Sequence, residues 1–230
     1  RACLTVRLPW ELAAIRLHPR GYHRSQDQSS PRCCSIGRGI LSHARHYVGR
    51  AVLPETNRIL TMEVLCFGLS HHTAPVDLRE RFAIPDGEIA VAARNLATSS
   101  GVQEAVIVST CNRVEFYVAA EDSTRGFSAV ADWIASRGLQ AEGPAFFRMS
   151  SPASISHLFR VVCGMDSMVL GETEILGQTK KAYQAAMEGG ATSRYLNKLF
   201  QRAFNVAKEV RTKTNITRGS VSVGSVAVEL

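Results

Sequence analysis

From residue 62 onward, short apolar runs rich in β-branched and aromatic residues take turns with longer runs of helical spacing. EVLCFGLS (63–70), AVIVS (105–109) and VEFYVAA (114–120) read as buried-type strands bounded by polar turns. Pro75 and Pro85 bracket a short helix around Leu78 to Phe82, and DGEIAVAARNLA (86–97) opens another on an N-cap aspartate and an acidic first turn. A helix near Gly126 to Ser136 and a short strand FFRM (146–149) follow. Strands alternating with helices, with no internal repeat, predict an α/β or α+β sandwich.

After Ser151 the pattern turns helical. In SPASISHLFRVVC, Ile155, Leu158, Phe159 and Val162 share one face behind a Ser-Pro start. Gly164, Gly171 and Gly177 are expected to break up GMDSMVLGETEILGQ, after which TKKAYQAAMEGG ends on a glycine stop. RYLNKLFQRAFNVAKEVRTKT (194–214) predicts a long amphipathic helix. Leu196, Leu199, Phe200, Ala203, Ala207 and Val210 form its apolar face, with Arg194, Lys198, Arg202 and Arg211 opposite.

Residues 1–61 lack this patterning. With 45% apolar residues in 230, the chain can fill an ordinary core, and no apolar run approaches the roughly 18 residues of a membrane-spanning helix. The leader holds ten arginines against three acidic groups, which is the whole of the +7 net charge. Residues 62–230 are neutral, so net charge gives no case for a nucleic-acid partner. An Arg-rich, acid-poor, Ser-containing leader resembles an organellar transit peptide; a non-native extension upstream of Met62 accounts for it equally well. The expected organisation is an unfolded leader at 1–61, a domain at 62–218, and the start of a linker at 219–230, where the chain stops in mid-pattern.

Three of the six cysteines lie in the leader. The others, Cys66, Cys111 and Cys163, are an odd set without CxxC spacing, which argues for a reducing compartment and against a disulfide framework or zinc site. Cys66 and Cys163 fall in apolar patterns and read as core. Cys111 lies in a polar break, in STCNRVEFY (109–117), beside Thr110, Asn112 and Arg113. That partly exposed, electropositive setting favours a thiolate, although an ordinary turn cysteine fits the spacing as well. His157 is rotated by about 200° from Ile155 at helical spacing, off the apolar stripe, facing either solvent or a cleft. His71 and His72 sit in a turn with no ligand cluster, so no metal site is expected. Asp166, Ser167, Glu172, Glu174 and Gln178 lie among glycines and by themselves read as a solvated connection. No GxGxxG or P-loop spacing occurs.

GLSHHTAPVDLRERFAIP, VSTCNRVEFY, HLFRVVCGMDSMVLGETEILGQTKKAY and RTKTNITRGSVSVGSVAVEL, in this order, resemble the amino-terminal catalytic domain of the glutamyl-tRNA reductase family. The resemblance covers nearly all of 62–230. It implies an α+β fold, a ferredoxin-like catalytic domain with additional helices. It also implies that Cys111 is the nucleophile attacking the ester of glutamyl-tRNA, leaving a thioester that NADPH reduces to glutamate-1-semialdehyde, the first step of five-carbon tetrapyrrole synthesis. His157 falls on the family's activity-linked histidine, assisting departure of the ribose hydroxyl. Thr110, Asn112, Arg113, Ser167, Glu172 and Gln178 fall on substrate contacts, Arg113 pairing with a substrate carboxylate. Glu174 departs from the usual glutamine there.

The family's NADPH-binding and dimerisation domains would follow this chain. The resemblance therefore implies a homodimer for the full-length protein, glutamate-1-semialdehyde aminomutase as a further partner, and no membrane association. Location would be cytoplasmic, or the plastid stroma with a transit leader. Two rival readings stay open from the residues: a Cys-His hydrolase using Cys111 and His157, and a non-catalytic RNA-binding α+β module.

Overall fold

The computed structural model describes residues 62–216; the leader and the expected linker at 219–230 lie outside the described residues. Four strands form one antiparallel sheet: β1 (Glu63–Ser70), β2 (Glu104–Ser109), β3 (Arg113–Ala120) and β4 (Phe147–Ser150). Helices α1 (Val76–Phe82) and α2 (Ile89–Ala97) connect β1 to β2, and α3 (Ser123–Ser136) connects β3 to β4. The helices α4 (Ala153–Val162), α5 (Glu174–Glu188) and α6 (Arg194–Lys213) follow the sheet. Strand order is β2-β3-β1-β4, with element order β1-α1-α2-β2-β3-α3-β4 before the three helices that follow the sheet. The α+β class expected from the sequence is the class observed.

Alternation along β1 and β3 divides the core in two. Phe67 and Phe116 point to the layer of α1 to α3, where they meet Phe146 and Trp133 at ring separations of 5.6 and 5.7 Å. Cys66 and Tyr117, paired across the strands, point to the other layer, where Tyr117 meets Phe200 of α6 at 5.6 Å. All eight residues of β3 are buried, because helices cover both sheet faces. Gly126 of α3 permits the close approach on the first face: a Cβ there would lie 2.5 Å from Leu65 Cδ1 and 2.8 Å from Ala120 Cβ. Among the described residues no helix is long and apolar enough to cross a membrane.

Two local expectations are corrected. Gly177 does not interrupt the chain; α5 runs through it from Glu174, and open space surrounds its Cα hydrogens. One glycine costs a helix only about 1 kcal/mol, which packing of Ile175, Thr179, Ala182, Tyr183 and Ala186 outweighs. Asp86 is not the cap of α2. A 3-10 turn at Asp86–Glu88 precedes that helix, and Glu88 occupies the N-cap position without a side-chain hydrogen bond.

Helix α6 is started by a residue far away in sequence. Its own N-cap, Ser193, makes no side-chain cap bond. Instead the buried carboxylate of Glu104, at the head of β2, accepts from the backbone N–H groups of Ser193 (2.9 Å), Tyr195 (2.8 Å) and Leu196 (2.8 Å). It thus satisfies orphan donors and complements the helix dipole. Glu104→Ala should lower unfolding stability by about 2 to 3 kcal/mol, with Glu104→Gln costing less because one acceptor remains. Urea midpoints test this: a loss below about 0.5 kcal/mol in the alanine variant would show that water replaces the cap.

Candidate active site

The β2–β3 hairpin places Cys111 at an exposed tip, in a turn of three residues between Ser109 and Arg113. Short polar residues make that tip rigid. Thr110 Oγ1 accepts from the backbone N–H groups of Asn112 and Arg113, both at 3.2 Å, and His71 N–H donates to Asn112 O at 2.8 Å. From α1 the buried Arg79 donates Nε–H to Cys111 O at 3.0 Å. The thiol is therefore held on a pinned backbone while its side chain stays open to solvent.

One side of the tip faces a cleft lined by Thr110, Cys111, Asn112, Arg113, Ser167, Met168, Glu172, Glu174, Ile175 and Gln178. Eight of the nine predicted site residues meet there. Continuity of α5 through Gly177 is what sets Glu174 and Gln178 one turn apart on the same wall. On its other side Cys111 borders a second cleft, with Arg79, Ile84 and Pro85.

The ninth residue, His157, lines neither cleft. It is also not solvent-facing: its Nε2 lies 2.9 Å from Glu115 Oε1, and its ring packs edge-on to Phe147 at 5.3 Å. A single apolar stripe assumes one covered face, whereas α4 is wedged between the sheet and helices α5 and α6. Leu158, Val161 and Val162 are fully buried and His157 turns to the sheet.

Behind the cleft lies a polar group the sequence pattern does not reveal. Arg113 is 1% exposed; its Nη1 donates to Glu115 Oε1 at 2.7 Å and to Asp166 Oδ2 at 3.1 Å, and its Nη2 donates to Asp166 O at 2.5 Å. Its Nε has no partner among the described residues. Glu115 Oε2 accepts from Tyr117 O–H at 2.6 Å. Gly68, opposite Glu115, leaves room for this carboxylate: a Cβ there would come within 3.0 Å of Glu115 Cγ.

Burial is the largest influence on the Glu115 carboxyl and opposes its ionisation. The charge of Arg113 and the hydrogen bonds of His157 and Tyr117 together outweigh it and hold the group at about 2. Cys66, beside this cluster, is pushed the other way, well above the usual thiol range, first by burial and then by the Glu115 charge. Cys66 Sγ, a Glu115 oxygen and a His157 nitrogen lie within 4.8 Å of one another. The carboxylate is already satisfied by Arg113, Tyr117 and His157, so internal hydrogen bonds account for the group.

Fold and cleft together define an α+β domain built around an exposed thiol on a rigid hairpin tip. Residues 67–214 match the family described as glutamyl-tRNAGlu reductase, N-terminal domain. The chain belongs to the glutamyl-tRNA reductase family. It is 43% identical over 171 residues to the glutamyl-tRNA reductase of Akkermansia muciniphila, covering 74% of this chain and 50% of that protein. To the Neisseria gonorrhoeae protein of that name it is 44% identical over 169 residues, covering 74% and 40%. The structure of glutamyl-tRNA reductase from Methanopyrus kandleri superposes with a TM-score of 0.60 at 34% identity, over 72% of this chain and 38% of that one. The chain thus spans half or less of the length of these relatives.

Proposed function

We propose that this domain carries the acyl-accepting half of an NADPH-dependent reduction of glutamyl-tRNA to glutamate-1-semialdehyde. The observation that carries this reading is the pinned, exposed Cys111 at the mouth of a cleft that gathers Thr110, Asn112, Arg113, Ser167, Glu172, Glu174 and Gln178. The thiolate attacks the ester carbonyl, a C–S bond forms, the C–O bond to the ribose breaks, and the departing ribose oxygen takes a proton from solvent water as the tRNA leaves. The glutamyl group remains as a thioester on Cys111.

The cleft suits an amino acid carrying both charges. Glu172 and Glu174 offer acceptors to its ammonium, while Asn112, Ser167 and Gln178 offer donors to its carboxylate. Because both terminal nitrogens of Arg113 are engaged by Glu115 and Asp166, Arg113 is a fixed, buried group behind the cleft that supports the hairpin tip. For His157 the geometry favours a positioning role, since its Nε2 holds the carboxylate that holds Arg113.

NADPH, when bound, supplies the hydride that reduces the thioester. The chain carries no glycine-rich dinucleotide fingerprint, and we assign that cofactor to a further domain, as we do the dimer contacts. Glutamate-1-semialdehyde aminomutase, which consumes the product, is the proposed partner of the full-length protein. Its location is the cytoplasm, or the plastid stroma if residues 1–61 act as a transit peptide.

Incubation of the 230-residue chain with glutamyl-tRNA labelled in the amino acid, followed by acid trapping and peptide mapping, tests the reading. Hydroxylamine-sensitive label on the peptide containing residues 109–117 is expected, with no aldehyde released on addition of NADPH. No bound label and no accelerated ester loss from a folded chain would refute it.

A further inference from the structure

Charge is unevenly divided between the two helical layers, although the described residues are neutral as a whole. Residues 62–152 carry seven basic and eleven acidic side chains; residues 153–216 carry nine basic and five acidic. Most of the excess sits on α6, where Arg194, Lys198, Arg202, Lys208 and Lys213 are exposed. At 3.6 residues per turn these five fall within an arc of about 140°, opposite the buried Leu196, Phe200, Ala203 and Ala207. Only Lys213 has a carboxylate partner among the described residues, Glu209 at 3.3 Å. The exposed Gln201 and Asn205 lie between the cations and add amide groups to the same arc.

The helix is also attached to the cleft. Near its carboxyl end Arg211 donates Nη2–H to the backbone oxygen of Glu172, a cleft residue, at 2.9 Å. From there its 20 residues extend about 30 Å along the domain. At the far end the Glu104 carboxylate fixes its direction against the sheet.

We propose that the exposed face of α6 is a track for the phosphate backbone of the tRNA whose aminoacyl end enters the Cys111 cleft. The inference rests on the reading of Cys111 given above. Cations spaced by about 6 to 9 Å along the row, interleaved with amides, suit the sugar-phosphate backbone of a duplex arm, which is contacted by those residue types without reading sequence. The acidic opposite layer repels the same polymer and so orients it. An acidic protein would meet the same charges, but the cleft at the end of the track takes an aminoacyl ester, which only tRNA brings.

The test compares two triple variants of the full 230-residue chain that change charge equally. One is Lys198→Glu, Arg202→Glu, Lys208→Glu on α6; the other is Arg81→Glu, Arg94→Glu, Arg125→Glu on the opposite layer, all six positions being exposed. Binding of unacylated tRNA is measured across a salt series, and acylation of Cys111 is measured with a glutamyl ester of the CCA trinucleotide, which has no duplex arm.

The α6 triple is expected to weaken tRNA binding by at least about tenfold and to reduce the salt slope by about 2 to 3, the opposite triple leaving both nearly unchanged. Acylation by the short ester should be the same in all three proteins. Equal losses in both triples, or an unchanged slope in the α6 triple, would overturn the track. If no protein is acylated by the short ester while the binding difference holds, the reading of Cys111 fails and the track stands.

Discussion

Glu115→Gln is expected to cost about 3 to 5 kcal/mol of stability, the range for removing one partner of a buried ion pair. The side chain is fully buried, and glutamine keeps its volume, so no cavity contributes. What is lost is the charge that compensates Arg113 at 2.7 Å and the acceptor for Tyr117 at 2.6 Å; the partly exposed Asp166 is left as the only carboxylate on a guanidinium 1% exposed.

The same pair gives a signed pH dependence. In the unfolded chain the Glu115 carboxyl titrates near an ordinary value of about 4.3. In the folded protein Arg113, His157 and Tyr117 hold it at about 2 against the opposing effect of burial. A depressed folded value favours the native state above the unfolded value, and that contribution disappears as pH falls from about 4.3 towards 2. It amounts to roughly 3 kcal/mol by linkage. Urea midpoints of wild type should fall across this window, and those of the variant should fall much less. Parallel acid profiles for the two proteins, or a loss below 1 kcal/mol at neutral pH, would show that the pair is not what holds this region together.

Local pattern makes the frame of this domain legible. Short apolar runs rich in β-branched and aromatic residues mark β1, β2 and β3 to within a residue or two, and the polar break around Cys111 is the hairpin tip. A short, partly buried strand such as β4 still shows as FFRM because aromatic residues flank it. What the pattern misses are contacts between distant segments. Glu104 meets α6 some 90 positions later, Arg113 meets Asp166 across 53 residues, and Glu115 meets His157 across 42.

In VEFYV the glutamate occupies an ordinary alternate position, and nothing local distinguishes a buried, compensated carboxylate from an exposed one. His157 is misdirected for a related reason, since helical spacing identifies one apolar stripe and cannot report that a second face is covered. The loop residues Ser167 and Glu172 are placed by resemblance; their own composition suggests only a solvated connection.

Cys111→Ser should leave stability within about 0.5 kcal/mol of wild type, because the side chain is exposed and its neighbours are pinned through backbone atoms. Acylation by glutamyl-tRNA should nevertheless fall by at least about a thousandfold. A hydroxyl needs an adjacent general base to become a nucleophile, whereas a thiol supplies thiolate by itself at neutral pH. His157 does not serve as that base: it lines neither cleft at Cys111, and its Nε2 is held by Glu115. This separates thiol acylation from a Cys-His hydrolase, in which an imbalanced pair would still turn over as Ser-His at a measurable rate. Rates of ester loss from labelled glutamyl-tRNA, compared between wild type, Cys111→Ser and Cys111→Ser with His157→Ala, decide the matter. If the serine variant keeps more than about 1% of the wild-type rate and loses it when His157 is also replaced, the imidazole reaches position 111 in the working enzyme and the hydrolase mechanism is the correct one.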